Sequence, residues 1–581
     1  MKTNIILSAL ILVFSALISL PLIKPGLYTM HDDQQVARLY EIDKSTKAGD
    51  FLPRWTEDLG FGFGYPLFIF YPPLVYYLGE AFHLLGAGFI DSVKIVFFLS
   101  IFLSGVAMYI LVKEIYGRLE GTVAAVFYIL VPYRALDVYV RGALAESFSF
   151  VWLPLILWAF FKLYRDQKFI YVPLSALFLS LLMITHNLIF LPFMLILASY
   201  LILLILHSAN RRKFIVYSLL SIVYSFLLSA FFWIPALTEK KFTIVDNLLL
   251  TDLANYRMHF VYPTQLWNWT WGFGGSAAGL ADGISFKIGK LHILVPLAAI
   301  TLALMGWFHN RNKIKSPFTI YHLLFTFFIL FLLSAFMTTF YSKPIWDLIQ
   351  PLAYLQFPWR FLIFCALTSS VLAGAFIFLL RVSFLKLIAS TALIALILTG
   401  NIKLFKPQSY RATLTDPDAT SEEVINWEVS KSSFEYIPKG IDIKTDESGK
   451  RIPPIEKSQI PTQKIEIAQG AGSISDVEIK PSKIKFIADI HEQSVMNVNV
   501  FDFPGWQVLV DGKNTSINDD NRLKLISFSL TPARHNVEVL FGRTKTRKIA
   551  DTISLSSILG LAVLILRGTK LTNLNGQKRQ A

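Results

Sequence analysis

Long apolar runs separated by short polar segments dominate this chain. Most runs that lack Asp, Glu, Lys and Arg approach the ~20 residues that an α-helix needs to cross the hydrocarbon core of a membrane. They predict twelve transmembrane helices, of which the shortest, 121–133, needs residues from its flanks to span. The runs are 3–23, 95–112, 121–133, 147–161, 169–185, 188–206, 214–237, 293–308, 316–340, 361–380, 387–402 and 552–566.

The segment between the last two apolar runs has a different pattern of apolar and polar residues. Fragments such as "SVMNVNVFDF", "WQVLVDGKN" and "HNVEVLF" alternate apolar and polar residues between Pro and Asp-Gly turn signals. This alternation predicts an antiparallel β-sandwich-like domain before the last helix. We therefore divide the chain into a transmembrane domain (1–402), a β-rich domain (403–549), and a final helix with a basic tail (550–581).

Composition and charge indicate the class and the orientation. With 54% hydrophobic and only 16% charged residues, the chain is too apolar for a soluble multidomain protein. If both termini are cytoplasmic, the net charge of +14 falls almost entirely on the inner loops, as the positive-inside rule requires. The loops 24–94 and 238–292 and the β-rich domain are then extracytoplasmic. We predict a multi-pass protein of the cell membrane, without a nucleic-acid partner.

Two apolar segments need a choice of interpretation. The first run, 3–23, could be a secretory signal, but no cleavage site followed by a soluble domain accompanies it, so we interpret it as a retained anchor. The segment 66–86 is apolar enough for a thirteenth crossing, which would turn the later basic loops outward. Pro72 and Pro73 interrupt it, and we predict helices at the outer interface, where Tyr and Phe rings are favourable.

Two adjacent carboxylates, Asp32 and Asp33, follow the first run. A carboxylate at the membrane boundary can act as a general base on an acceptor hydroxyl, or help to hold a divalent cation such as Mg²⁺ or Mn²⁺. The alternative is structural, because the spacing from Asp32 to Gln35 is that of a capping box, which would open an amphipathic helix closed by Gly49. The two roles are compatible if one Asp caps and the other reacts.

A second polar group follows the run 121–133. Arg134, Asp137 and Arg141 are three and four residues apart, so they can pair with one another at the headgroup boundary. With Glu146 to orient them, the two arginines can instead bind a lipid phosphate. The sequence leaves both interpretations open.

Three further candidates lie at predicted outer ends. His186, with Asn187, is either a polar cap or part of a catalytic pair. Arg360, beside Trp359 in "QFPWRF", either anchors the helix at the interface, as we expect of the Trp, or contacts a phosphate. Arg54, in "GDFLPRW", is another candidate for phosphate binding.

Six motifs in the transmembrane domain form a set: "HDD", "GDFLPRW", "GFGYPLFIFYPPLVYYL", "RGALAES", "THN" and "QFPWRFL". Together they resemble the bacterial and archaeal membrane proteins called 6-pyruvoyl-tetrahydropterin synthase-related, which look like members of the GT-C superfamily of glycosyltransferases. The resemblance covers the chain to about residue 400. It continues more loosely through "FEYIPKG" and "FPGWQVLVDGK" in the β-rich domain.

This resemblance implies a GT-C-like fold and a glycosyltransferase. Such an enzyme would move a sugar from a polyprenyl-phosphate-linked donor to an envelope acceptor, a glycan, lipid or protein, on the outer face of the membrane. The catalytic acid would lie in the first outer loop, where Asp32 is the best match and Asp33 the alternative. Arg141, with Arg360 or Arg54, would stabilise the charge on the departing lipid phosphate.

Two other functions fit the same sequence. One is a lipid flippase or scramblase, in contact with membrane lipids; the other is a non-catalytic scaffold for envelope assembly. An ion-coupled transporter would place ionisable groups at mid-membrane, and the twelve runs contain no Asp, Glu, Lys or Arg, which leaves a passive scramblase. A scaffold would need the β-rich domain but no carboxylates in the first loop.

Overall fold

The computed structural model is a bundle of apolar helices with an antiparallel β-domain before the last helix, which confirms the predicted fold class. It describes residues 2–250, 254–309, 318–447 and 450–577. The end of the predicted basic tail, 578–581, lies outside these residues. The α-helices of ten residues or more are Lys2–Ser19, Gln35–Lys47, Leu74–Leu84, Phe89–Ile115, Arg118–Ile129, Leu144–Asp166, Tyr171–Thr185, Asn187–His207, Arg211–Leu228, Ala230–Glu239, Lys290–His309, Phe318–Thr338, Leu362–Leu379, Ser383–Asn401 and Lys545–Gln577.

The helices divide into full-length and shorter candidates for membrane spans. Among the described residues, seven helices are long and apolar enough to cross a membrane, or up to nine if each of two bent pairs counts as one span. The predicted runs 3–23 and 169–185 form shorter apolar helices, Ala9–Ile23 and Tyr171–Thr185. The predicted run 552–566 lies within the final helix, Lys545–Gln577.

One bent pair carries polar residues to the end of the bundle. Arg118–Ile129 and Pro132–Arg141 meet at an angle of 41°, and Pro132 lacks the N–H group that would continue the first helix. The run 121–133 therefore extends through its C-terminal flank, as its short length required.

The other bent pair was predicted as one straight crossing, 214–237. Arg211–Leu228 and Ala230–Phe242 instead meet at 67° around Ser229. The Ser229 hydroxyl donates to the Ser225 carbonyl oxygen at 2.7 Å, a local bond typical of helix bends.

The segment 66–86 forms two helices rather than one span. Leu67–Phe70 and Leu74–Leu84 are separated at Pro72 and Pro73, as the prolines predict. The second of these helices packs against the long helix that follows it in the chain. The break places the end of the first helix at the cavity described below.

The β-domain contains two antiparallel sheets. The strands Gly472–Lys480, Lys483–Ile490, Ala533–Phe541, Trp506–Val510 and Lys513–Thr515 form one sheet in that order, and Ile465–Gln469, Ser494–Phe501 and Leu525–Leu530 form the other. Alternate residues are buried along Lys483–Ile490, and the inward residues of both sheets belong to one apolar core. A two-stranded sheet, Leu27–Tyr28 with Tyr410–Arg411, joins the first loop to the irregular chain that precedes this domain.

Candidate active site

A cavity of about 930 Å³ lies at the end of the bundle where the predicted outer segments meet. The first loop, the turns after Pro132–Arg141 and Tyr171–Thr185, the loops 238–292 and 341–360, and the irregular chain 432–451 all contribute to its walls. A cavity of this volume is typical of sites for small molecules and cofactors. The segments that charge bias assigned to one face of the membrane therefore lie at one end of the bundle.

A tight turn brings Asp32 beside Arg141 on the cavity wall. The helical segment Pro132–Arg141 ends in a π-helical turn, Asp137–Arg141, and Gly142 closes this turn with a φ of 67°. The Arg141 carbonyl oxygen accepts the Asp32 backbone N–H at 2.7 Å. A Cβ atom on Gly142 would clash with the sulfur of Met30, so the turn requires glycine for both its conformation and its packing.

Glu146 is the centre of the charged group at this turn. Its Oε2 accepts from Arg141 Nη1 at 2.9 Å and from Arg360 Nε at 3.3 Å, and its Oε1 accepts from the Tyr133 hydroxyl at 2.6 Å. His186 Nε2 lies 3.9 Å from Oε2. Glu146 is only 1% exposed. We call Arg141, Glu146 and Arg360 the cavity cluster.

The two arginines of the cavity cluster keep hydrogen-bond donors for a ligand. Arg141 uses Nη1 for both Glu146 and Asp137, and Arg360 donates through Nη1 to the Leu355 carbonyl oxygen at 2.6 Å. Among the described residues, neither Nη2 has a hydrogen-bond partner, and both side chains line the cavity. Guanidinium groups placed in this way bind anions such as phosphate.

The capping interpretation of Asp32 is wrong. The helix Gln35–Lys47 has Gln34 at its N-cap and no side-chain cap. A capping box is absent because the Asp32 backbone N–H donates to the Arg141 carbonyl oxygen, while Gln35 Oε1 accepts from the Tyr76 hydroxyl at 2.8 Å and its Nε2 donates to the Gly142 carbonyl oxygen at 2.9 Å. Asp32 is therefore exposed at the cavity wall, while Gly49 follows the end of the helix as the sequence indicated.

Asp33 does not share this position. It is exposed, does not line the cavity, and interacts electrostatically with Arg411. Within the described ranges, no three His, Cys, Asp or Glu side chains come together to hold a metal ion. Because Asp32 lines the cavity and Asp33 does not, the structure does not place the two carboxylates together in the cavity as ligands of one cation.

The predicted phosphate ligands Arg54 and Arg134 lie away from the cavity. Arg54 donates to Asp551 Oδ1 of the final helix at 2.8 Å. Arg134 is fully buried between helices, where it donates to the Ser104 hydroxyl at 2.8 Å and the Ser147 carbonyl oxygen at 2.7 Å. Both side chains therefore bond other parts of the protein. The sequence left open a pairing of Arg134 and Arg141 with Asp137. Only Arg141 forms that bond.

His186 and Trp359 occupy the cavity wall. His186 Nδ1 accepts the backbone N–H of Ile189 at 3.2 Å, so the polar-cap interpretation holds and the neutral ring carries its proton on Nε2. Trp359 is 4% exposed and its ring stacks between those of Phe286 and Phe357 at 4.9 and 4.7 Å. The prediction of an interfacial anchor at Trp359 is therefore wrong, and its ring lies 4.4 Å from the Arg141 guanidinium.

Two residues at the site were not predicted. Tyr133 bonds Glu146, and its only sequence signal was its place beside a polar group at the end of an apolar run. Arg38 lines the cavity from the helix Gln35–Lys47. Its position had no sequence signal, because the face that a short polar helix buries depends on its tertiary contacts.

Buried Glu41 fixes the helix that carries Arg38. Its carboxylate accepts the backbone N–H groups of Glu57 at 2.9 Å and Asp58 at 3.2 Å, which ties the helix to the following loop. Burial, followed by the charge of Asp58, raises the pKa of Glu41 to about 8.

Comparisons with solved structures give similarities of low sequence identity and low TM-score. The mycobacterial arabinofuranosyltransferase AftD is 16% identical over 69% of this chain and 27% of its own length, with a TM-score of 0.37. An Archaeoglobus fulgidus oligosaccharyltransferase in complex with Zn and sulfate is 16% identical over 71% of this chain and 53% of its own, with a TM-score of 0.37. ArnT from Cupriavidus metallidurans, bound to undecaprenyl phosphate, is 13% identical over 65% and 78%, with a TM-score of 0.29.

Sequence comparisons give the family. An uncharacterized protein of Lactococcus lactis subsp. cremoris (strain MG1363) is 24% identical over 252 residues, and the match spans 41% of this chain and 41% of that protein. A family model described as "6-pyruvoyl-tetrahydropterin synthase related domain; membrane protein" matches residues 68–406, more than half of the chain. The match contains the cavity cluster and most of the bundle. The chain belongs to the 6-pyruvoyl-tetrahydropterin synthase-related family of membrane proteins.

Proposed function

We propose that this protein is a glycosyltransferase that moves a sugar from a polyprenyl phosphate to an acceptor hydroxyl, a group on a glycan, lipid or protein. The observation that carries the proposal is that Asp32, Arg141 and Arg360 line one cavity. A carboxylate that can accept a proton then lies near two cations that can stabilise a leaving phosphate. The charge bias of the loops supports an extracytoplasmic position for this cavity in the cell membrane.

The cavity cluster is suited to the phosphate of the donor. Its two arginines line the cavity and have donors without partners among the described residues, and Glu146 holds both guanidinium groups in place. Two long helices, Leu144–Asp166 and Asn187–His207, begin beside the cluster, so the positive ends of their dipoles add to the favourable field. Hydrogen bonds from preorganised donors in a partly dehydrated site strengthen as the leaving group gains charge.

Asp32 is suited to the acceptor. In the proposed step, the acceptor hydroxyl oxygen forms a bond with the anomeric carbon of the sugar and gives its proton to the Asp32 carboxylate. The bond between the anomeric carbon and the phosphate oxygen breaks, and its electron pair leaves with the polyprenyl phosphate. Arg141 and Arg360 hold that phosphate, and Asp32 returns its proton to water after the product leaves.

The adjacent aspartates provide the test, because Asp33 is a matched control outside the cavity. Each variant, Asp32→Asn and Asp33→Asn, is reconstituted in nanodiscs with a panel of radiolabelled sugars on undecaprenyl phosphate. We expect Asp32→Asn to lower sugar transfer by about 100-fold or more, the usual contribution of a general base, and Asp33→Asn to leave it unchanged. Binding of undecaprenyl phosphate should survive in both variants.

Full transfer by Asp32→Asn would overturn the proposal. The scramblase alternative has its own readout in the same preparation. Movement of labelled lipid across liposomes, with no sugar transferred by the wild type, would favour a scramblase over a glycosyltransferase.

A further inference from the structure

The cavity has another guanidinium on the wall formed by the first loop. Arg38 is 6% exposed and lines the cavity. Its Nη1 donates to the Tyr76 hydroxyl at 3.2 Å, its Nη2 donates to Gln34 Oε1, and its guanidinium lies 4.0 Å from the centre of the Tyr71 ring. These contacts fix the position and plane of the guanidinium.

Arg38 differs from Arg141, Arg360 and Lys240, which also line the cavity, in having no carboxylate partner among the described residues. Arg141 and Arg360 share Glu146, and Lys240 pairs with Asp246 at 3.0 Å. Arg38 forms no ion pair within the part of the chain that the structure describes, and three of its five N–H groups have no hydrogen-bond partner there. Burying a cation is unfavourable in free energy unless an opposite charge lies beside it. Arg38 is therefore suited to bind an anion that enters the cavity.

Arg38 is separate from the cavity cluster but connected to it. Its partner Tyr76 donates to Gln35 Oε1 at 2.8 Å, and Gln35 donates to the carbonyl oxygen of Gly142, the residue that closes the Arg141 turn. Two hydrogen-bonded side chains therefore lie between Arg38 and that turn. The two cationic positions therefore line the same cavity and have different hydrogen-bond partners.

We propose that Arg38 binds a second anionic group, a phosphate or a carboxylate, while the donor phosphate occupies the cavity cluster. This inference rests on the proposed function, since it takes the first anion to be the phosphate of the donor. The second anion has two sources: an acidic acceptor, or the second phosphate of a diphosphate-linked donor. In both cases the ligands of this cavity carry more negative charge than a neutral sugar on a single phosphate.

Binding measurements in nanodiscs test this inference. The probes are undecaprenyl phosphate, undecaprenyl diphosphate, and sn-glycerol 1-phosphate added to protein saturated with undecaprenyl phosphate. If the second anion belongs to the acceptor, glycerol phosphate binds the wild type; if it belongs to the donor, the diphosphate binds about tenfold or more tightly than the monophosphate. Arg38→Gln should remove whichever gain is seen and leave the affinity for the monophosphate unchanged, and Arg38→Lys should keep part of the gain.

The inference is overturned if the wild type shows neither gain, or if the gain survives Arg38→Gln. If Arg38→Gln does not fold, Tyr76→Phe takes its place, because it removes the hydroxyl that holds Arg38 and should weaken the same gain. Failure of the proposed function looks different. In that case Arg141→Gln and Arg360→Gln would leave the affinity for undecaprenyl phosphate unchanged.

Discussion

Two buried groups of arginines and carboxylates occupy different parts of the molecule. One is the cavity cluster. The other, which we call the helix joint, consists of Arg54, Glu239, Arg547 and Asp551 and fixes the final helix to the bundle. In the helix joint Arg547 is fully buried and donates through Nε to Glu239 at 2.9 Å, and Arg54 donates to Asp551 at 2.8 Å.

The difference between the two groups lies in the access of their unused donors to a cavity, because Arg54 Nε in the helix joint also has no partner among the described residues, but Arg54 does not line the cavity. Every nitrogen of the Arg547 guanidinium has a partner, since Nη1 and Nη2 donate to the carbonyl oxygens of Gly542 and Pro504. Arg141 and Arg360 instead line a cavity, and the Nη2 of each has no hydrogen-bond partner among the described residues. Burial and ion pairing alone therefore do not identify a binding site, and access of the remaining N–H groups to a ligand does.

Removing the central carboxylate of each group should give the largest effects and separate their roles. We expect Glu146→Gln to lower sugar transfer by about 100-fold or more, because both cavity arginines lose their orientation. Glu239→Gln breaks the helix joint at a cost of about 3–5 kcal/mol in the free energy of unfolding, but should leave transfer per folded molecule unchanged. Thermal unfolding and transfer assays on both variants check this. Equal losses of transfer in the two would remove the distinction.

A smaller effect is expected from the turn that places Arg141 beside Asp32. Gly142→Ala puts a Cβ atom in the left-handed region and against Met30, whereas Gly49→Ala, at a φ of 90°, meets no atom within 4 Å. In both variants the alanine has to adopt the left-handed backbone conformation, which lowers the free energy of unfolding by about 1–2 kcal/mol. Only Gly142→Ala should displace the Arg141 turn and lower transfer, by about tenfold or more. Similar transfer rates in the two variants would show that the turn does not position the site.

The smallest effect concerns Asp502, which lies near the helix joint and away from the cavity. Burial, aided by the charge of Asp519, raises its pKa from 3.8 to about 6. The folded state thus favours the protonated carboxyl, so its contribution to stability is present below about pH 4 and is lost as the pH rises through 6. Asp502→Asn should therefore stabilise the protein at pH 7.5, by about 1 kcal/mol after solvent screening, and have no effect at pH 4. Melting temperatures at the two pH values, with undecaprenyl phosphate binding unchanged, check this; an equal shift at both would contradict it.

The sequence predicted those features that depend on local period and on charge bias. The apolar runs predicted most helices of the bundle, and the alternation of apolar and polar residues predicted the β-domain. The prolines at 72 and 73 predicted the break in 66–86. The outer segments that the placement of basic residues grouped contribute residues to one cavity, and their side of the membrane stays a prediction.

Features that depend on distant contacts could not be read from the sequence. The sequence made Arg54 a candidate for phosphate binding, but Arg54 pairs with Asp551, 497 positions away. The spacing from Asp32 to Gln35 fits a capping box, but the Gln35 side chain bonds Tyr76 and the Gly142 carbonyl oxygen instead. Local patterns specify what a side chain can bind, and tertiary packing decides which partner it finds.

The most direct test of the central claim is the position of undecaprenyl phosphate in a cryo-electron microscopy structure of the protein bound to it. We predict density for the phosphate within hydrogen-bonding distance of both Arg141 and Arg360, with Asp32 in the same cavity. A phosphate that contacts neither arginine, or one that lies outside the cavity, would contradict the account.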